Sequence, residues 1–372
     1  RSLRRWSFTT ITSHDAEQHA DPYDPSGADR GASDEANPPD LGTTDELDEL
    51  DELAIEEALA AERTTAPAAA VSPLASLPAG TGFGTFVHSV FEHVDFAVDD
   101  LTGALRLVMA EQQERHAVDL TPAVPVPEEG AAPEDGATPD GVASLTHADG
   151  ERLLVAGLDA AIRTPLGPLL GGRSLREIDA ADRLDELEFQ LRLGEGGFGR
   201  AATDRDIGAL VLQHLPVGDP LHDWATALAA GRFEVDLAGH LTGSIDAVLR
   251  VRSDDGSPRF VVIDYKTNRL HPFREEPAAG DYGAAALAAA MAQHHYPLQI
   301  LLYSVALHRY LRWRLAGYDP ATHLGGAAYL FVRGMTGPDV AITDGQPDGV
   351  FGWAVPPALV EQLSDLLDRG PS

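Results

Sequence analysis

The chain has 372 residues, no cysteine and a formal net charge of −32. Those values exclude disulfides, iron–sulfur clusters and thiolate zinc sites, and leave oxygen and imidazole as metal ligands. They also exclude a chain that coats nucleic acid through a global positive field.

The charge is unevenly spread. Residues 1–150 carry 30 acids and 7 bases, a net −23, whereas 151–372 carry 29 acids and 20 bases, a net −9. The stretch 232–314, with 10 bases and 9 acids, is net +1. Arg4-Arg5 is not followed by an apolar signal core, and the apolar run Gly283–Ala292 is too short to cross a bilayer. A soluble, cytoplasmic protein without a membrane partner is expected. Because the chain begins with Arg, it is also expected to be a piece of a longer polypeptide.

Taken in chain order, residues 14–42 are rich in Asp, Pro, Gly and Ser and read as a disordered acidic linker. Thr43–Glu62 repeats Asp-Glu-Leu three times; Thr43 with Glu46 fits a capping box opening an acidic helix. Residues 64–80 form an Ala/Pro/Ser connector, so 1–80 is expected to be an acidic, partly disordered tether with a short helix. From 81 to 372 an α/β domain is expected, interrupted by a mobile loop over 121–141 that is rich in Pro, Ala, Gly and acid. Helices are predicted over Gly84–Phe96, Glu151–Ile162, 205–214, 220–229, after Pro297, and from Pro356 to Arg369 with Gly370 as the stop. Strands are predicted at Leu187–Leu193, 239–252, 259–265 and 327–333. Gly283–Ala292 reads as packing or a pliable loop.

The most informative local feature is the pair of strands around Asp255-Gly256, a dipeptide suited to a hairpin turn. A hairpin centred there sets Asp246 opposite Asp264 or one place off. Opposed Cβ atoms lie about 4.5–5.5 Å apart, close enough for two carboxylates to share a cation. Side chains alternate along a strand, so Asp264 and Lys266 share a face while Tyr265 points away. Lys266 is the chain's single lysine beside 26 arginines, which hints that a compact ammonium is needed there. Carboxylates beside a lysine suit metal-assisted phosphodiester hydrolysis, although Asp-x-Lys alone is also the pattern of an ordinary surface ion pair.

Two further pairs add context. His88 and Glu92 lie one helical turn apart on the same face, as do Gln299 and Tyr303 on the later helix. Each pair taken singly is an ordinary structural contact. The order is not: Gly84-x-x-x-His88-x-x-x-Glu92, Gly243-Ser244-Ile245-Asp246, Asp264-Tyr265-Lys266-Thr267-Asn268 and Gln299-x-x-x-Tyr303. Over about residues 80–335 the chain resembles the RecB-type nucleases of the PD-(D/E)XK superfamily, the nuclease domains of helicase–nucleases.

That resemblance implies a restriction-endonuclease-like core, a central mixed sheet flanked by helices, with helical additions. It implies Mg²⁺, one ion or two, with Mn²⁺ or Ca²⁺ able to replace it in binding. Its ligands would be His88, Asp246, Asp264 and the main-chain carbonyl of Tyr265. Lys266 would be catalytic together with Asp264 and Asp246, while Glu92, Gln299 and Tyr303 would support the site or position DNA. The implied activity is that of a DNA exonuclease or endonuclease of the exodeoxyribonuclease V type, in double-strand break repair and homologous recombination. The implied partners are linear duplex DNA ends, unwound single strands, RecC- and RecD-like subunits and a helicase part of the same parent polypeptide. The segment Arg4–Thr9 resembles the exit from that helicase part into the tether.

Other readings compete. Gly194-Glu195-Gly196-Gly197-Phe198-Gly199 matches the dinucleotide fingerprint G-x-G-x-x-G, but Asp219, at the distance where a ribose-binding acid belongs, falls in a Pro-rich loop. No phosphate-binding P-loop exists, because it would need a second lysine. His294-His295 reads as a polar loop, and H-E-x-x-H is absent. A non-enzymatic alternative is a catalytically silent nuclease-like module that binds DNA or docks to partners.

Overall fold

The computed structural model describes residues 5–8, 11, 12, 72–122, 145–194, 201–216, 218–233, 236–253, 255–270 and 280–369. The acidic linker, the helix expected over Thr43–Glu62, most of the 121–141 loop and residues 195–199 of the glycine-rich segment lie outside the described residues.

A six-stranded mixed sheet occupies the centre. Strand β2 (Arg183–Leu193) runs antiparallel to β5 (Gly239–Arg252). On its other side β5 takes two partners in succession: β1 (Arg5–Trp6) in parallel, then β6 (Pro258–Lys266) antiparallel. Beyond β6 lie β7 (Leu324–Phe331), parallel to it, and β10 (Val350–Trp353), antiparallel to β7. Two short ribbons stand apart, β3 (Ala202–Thr203) with β4 (Asp236–Leu237) and β8 (Ile342–Thr343) with β9 (Gln346–Pro347).

Helices cover both faces. On one side pack α1 (Thr81–His93), α2 (Leu101–His116) and α3 (His147–Arg163). On the other pack α4 (Asp204–Leu212), α5 (His222–Ala230), α6 (Ala284–Gln293), α7 (Tyr296–Arg314) and α9 (Pro357–Arg369). A single turn, α8 (Pro320–His323), leads into β7. This is the α/β architecture anticipated from the alternation of elements. Central strands read as continuous apolar runs because both faces are covered: all eight residues of β7 are buried. The parallel step from β6 to β7 needs a crossover, which α6 and α7 supply. Helix α3 opens with a capping box, Thr146 N donating to Asp149 Oδ2 at 2.8 Å and Asp149 N to Thr146 Oγ1 at 3.3 Å.

Three departures from the sequence reading matter. The run Gly283–Ala292 is helix α6 rather than a pliable loop, for alanine is the best helix former and Gly283 serves as its N-cap. Helix α2, unassigned from sequence, buries only Leu101, Leu105, Met109 and Gln112, too narrow a stripe for a clear helical pattern. Strand β1 comes from the segment expected to enter the tether. Trp6, Phe8 and Ile11 are buried in the core, and the Trp6 indole donates to the Ala238 carbonyl at 2.8 Å. Thr242 Oγ1 donates back to the Trp6 carbonyl at 3.2 Å. Trp6, Phe8 and Ile11 therefore belong to the core.

Trp6→Ala should leave a cavity under β5 and lower stability by about 3 kcal/mol. A shift of the urea unfolding midpoint checks this; an unchanged midpoint would show that the leading strand is not integral.

Candidate active site

The register of the β5–β6 hairpin brings the acids together. Pairing runs from Arg252↔Pro258 to Ala247↔Ile263, and the next step of the same register places Asp246 opposite Asp264. Gly256, at φ 83°, makes the turn that sets this register, with its N–H donating to the Ser253 carbonyl at 2.8 Å. At Asp246 the ladder opens. Its carboxylate Oδ2 accepts the backbone N–H of Tyr265 at 2.8 Å. On the opposite edge, β2 pairs with β5 continuously except at Glu186, which sits in the left-handed region at φ 48° opposite Asp246. The acid thus lies where both of its neighbouring strands loosen.

Strand alternation divides the next three residues. Asp264 and Lys266 face the α7 side; Tyr265 faces α1 and stacks on Phe91 with centroids 4.5 Å apart. Lys266 is 1% exposed, and its Nζ lies 2.7 Å from Asp264 Oδ2. The same Nζ sits 4.2 Å from the centroid of the Tyr296 ring and 5.3 Å from that of Tyr329. Burial pushes the Asp264 carboxyl up and the neighbouring Asp246 charge adds to this, while Lys266 pulls it back; the outcome is about 7. Asp246 goes the other way. Burial raises it, but His88, Lys266 and the Tyr265 N–H together hold it below the usual carboxylate value.

His88 is delivered by α1. The helix is anchored by Phe83, Phe86, Val87, Val90 and Phe91, all buried. With Phe91 stacked on Tyr265, the residue one turn earlier falls over Asp246. His88 Nδ1 is 3.4 Å from Asp246 Oδ2, and its ring meets Tyr265 edge-on at 6.1 Å. Arg333, buried in the turn after β7, ties α1 to the end of β6. Its Nε donates to the Thr267 carbonyl at 2.8 Å, its Nη1 to Leu77 at 3.2 Å, and its guanidinium lies over Phe83. Glu92 does not reach the acids. It stands 3.7 Å from His93 and beside Glu186, whose carboxyl is pushed up by burial and by the Glu92 charge.

Gln299 and Tyr303 are brought to the site as a buried pair rather than as an open surface. Gln299 Nε2 donates to Tyr303 Oη at 2.9 Å, and Tyr329 Oη donates to Gln299 Oε1 at 2.8 Å. Both are at most 3% exposed. Tyr303 meets Phe189 edge-on at 5.8 Å, and Phe189 can lie there because Gly243 has no side chain: a Cβ would fall 2.7 Å from its ring. The glycine of the Gly243–Asp246 motif is thereby explained. Sequence reasoning missed Tyr296, Tyr329, Arg333 and Glu186. Tyr296 carried a usable signal, standing directly before Pro297 on the helix that bears Gln299. Tyr329 did not, being one apolar-strand residue among eight. His294 stacks on Tyr296, and burial first, then the Lys266 charge, push its ring down to about 4. His295 is buried edge-on to Phe233 at 4.7 Å.

The donor set fits a hard divalent cation: two carboxylates, an imidazole and a nearby backbone carbonyl. Asp264 Oδ2 is buried 2.7 Å from the Lys266 ammonium, and a carboxylate oxygen keeps further lone pairs beyond that one contact. The protein brings His88 to Asp246 and Lys266 to Asp264. Among the described residues it does not draw three or more acids or histidines into one ready-made ligand cluster. Two facing carboxylates repel, and here each is compensated by its own basic partner.

Residues 67–366 match the family model of the PD-(D/E)XK nuclease superfamily. The chain belongs to this superfamily. It is 43% identical over 300 residues to the RecBCD enzyme subunit RecB of Mycolicibacterium smegmatis, and 44% identical over 303 residues to that of Mycobacterium tuberculosis; each match covers 80% of this chain and 25% of the relative. With the RecBCD enzyme subunit RecB of Escherichia coli it shares 31% identity over 258 residues, 69% of this chain and 17% of the relative. The chain thus spans about a quarter of the length of the first two of these curated relatives. Among the described residues, no helix of this PD-(D/E)XK domain is long and apolar enough to cross a membrane.

The raised Asp264 carboxyl has a consequence for stability. With a folded value near 7 against an ordinary 3.8, the folded state binds the extra proton between those values, so this group removes stability as pH rises through that window. Urea unfolding in EDTA should therefore show stability falling from about pH 4 to pH 7 more steeply in the wild type than in Asp264→Asn. Equal slopes would contradict the assignment.

Proposed function

We propose that this domain hydrolyses DNA phosphodiester bonds with a divalent metal ion, Mg²⁺ or in its place Mn²⁺. The observation that carries the proposal is the convergence of Asp246, Asp264 and the chain's single lysine at the opened end of one hairpin, with His88 laid over it. A surface hairpin has no need to bury its only ammonium beside a carboxylate. Asp246, Asp264, His88 and the Tyr265 carbonyl would hold the metal. Once bound, the cation supplies Lewis acidity at the scissile phosphate and lowers the pKa of a coordinated water.

The chain's own groups do the rest. Lys266 presents a compact positive charge that orients the attacking water and offsets the negative charge developing on the phosphate oxygens. Asp264 keeps that ammonium in place before substrate arrives. The Tyr265 N–H fixes one oxygen of the Asp246 carboxylate and so holds the group in place for the metal. Phe91 and Arg333 hold the His88 helix at its distance from β6.

We further propose that the domain acts within a larger helicase–nuclease, alongside a motor part of the same polypeptide and RecC- and RecD-like subunits. Its substrates there would be linear duplex ends and unwound single strands during double-strand break repair and recombination inside the cell. The names of the relatives support this reading, as does the near-neutral charge of 232–314, which suits DNA delivered by partners better than DNA captured from solution.

Two measurements test the proposal. Degradation of linear DNA should require Mg²⁺ or Mn²⁺ and fall by about 100-fold or more in Lys266→Ala and in Asp264→Asn, with Lys266→Arg recovering little, since a guanidinium is no point charge. Mg²⁺ should also raise the melting temperature of the wild type but not of Asp246→Asn. Undiminished cleavage by Lys266→Ala would reject the mechanism. No cleavage with either cation would leave a non-hydrolytic DNA-binding or docking module.

A further inference from the structure

We propose that Tyr296 and Tyr329 are positioning residues, whose ring faces hold the Lys266 ammonium at the site. The inference rests on reading Lys266 as the reactive cation of a nuclease, and it explains how that cation is kept in register.

A lysine at the end of a strand carries its charge on a flexible four-carbon stem. The ion pair with Asp264 is one restraint, but the same carboxylate is also a candidate metal ligand. An aromatic face attracts a cation through its quadrupole without a formal charge. Two such faces, with centroids 4.2 Å and 5.3 Å from Nζ, restrain the ammonium and leave the carboxylate lone pairs free for other work.

Both rings are themselves braced. Tyr296 Oη donates to Asn268 Oδ1 at 3.3 Å, and His294 stacks on the ring at 5.2 Å with planes 21° apart. The Tyr329 ring lies 5.6 Å from it. His295, held at φ 56°, turns the chain sharply from α6 into α7, so that Tyr296 becomes the first residue of the helix. Tyr329 is fixed through its hydroxyl to Gln299, and Gln299 to Tyr303. The pair spaced by four on α7 thus acquires a role: it is the outer brace of the cage, one contact removed from the lysine.

The single lysine makes the test direct. Acylation of the full chain by an N-hydroxysuccinimide ester, read by mass spectrometry on the peptide that spans residue 266, reports this ammonium alone, with the N-terminal amine as reference. Wild type and Tyr296→Phe should label slowly and cleave linear DNA with kcat within about twofold of each other, because the ring face is kept. Tyr296→Leu should label about tenfold faster and lose about tenfold in kcat at unchanged KM. Tyr296→Met, which keeps the buried bulk without a ring, should behave as Leu does and serves if the Leu variant does not fold. Wild-type labelling rates in folded Leu or Met variants would overturn the proposal. So would a Phe variant as reactive as Leu, which would assign the restraint to the hydroxyl. The labelling pattern without any DNA cleavage by the wild type would uphold the cage and reject the nuclease reading.

Discussion

The site depends on one register. Pairing of β5 with β6 runs to Ala247↔Ile263 and so leaves Asp246 and Asp264 next to each other where the ladder opens, and a slip by a single residue would turn Asp264 and Lys266 to the other face of the sheet and bring Tyr265 in their stead. That register is set by the Gly256 turn and held by packing on both faces of β6, where Val262 fits one core and Val261 and Ile263 the other. Core packing and site geometry are the same constraint viewed from two ends of a hairpin.

Around this register the protein arranges opposing charges in low-dielectric surroundings. Lys266 and Asp264 are both buried, a costly situation unless each is compensated. The compensation is local, with one ion pair, two aromatic faces and a second carboxylate held down by an imidazole and a backbone N–H. Such poise suits a site that exchanges protein cations for a metal ion and a substrate, rather than one whose salt bridges serve stability alone.

The geometry of the site also depends on elements outside the β5–β6 hairpin. Arg333 links the segment before α1 to the residue after Lys266 by donating to the carbonyls of Leu77 and Thr267, which ties the helix bearing His88 to the end of β6. The leading strand β1 occupies the half of β5 that β6 leaves vacant, which closes an edge that would otherwise be open to another chain. A segment that reads as the entrance to a tether thereby becomes structural.

Much of this was legible in the residues. Alternation on β6, the turn dipeptide and the lone lysine were enough to place Asp246, Asp264 and Lys266 on one patch, because strand periodicity is local and fixed. Spacing by four likewise joined His88 with Glu92 and Gln299 with Tyr303. What spacing could not say is what those faces meet. Glu92 turns toward Glu186 instead of the acids, and Gln299 and Tyr303 are sealed inside, acting through Tyr329. Tyr296, Tyr329 and Arg333 reach Lys266 and α1 only through contacts distant in sequence, and Trp6 joins the sheet across more than 230 residues. Periodicity belongs to a segment and can be read from it. Which segments pack together is decided by the burial of whole faces, and that exists only in the folded chain.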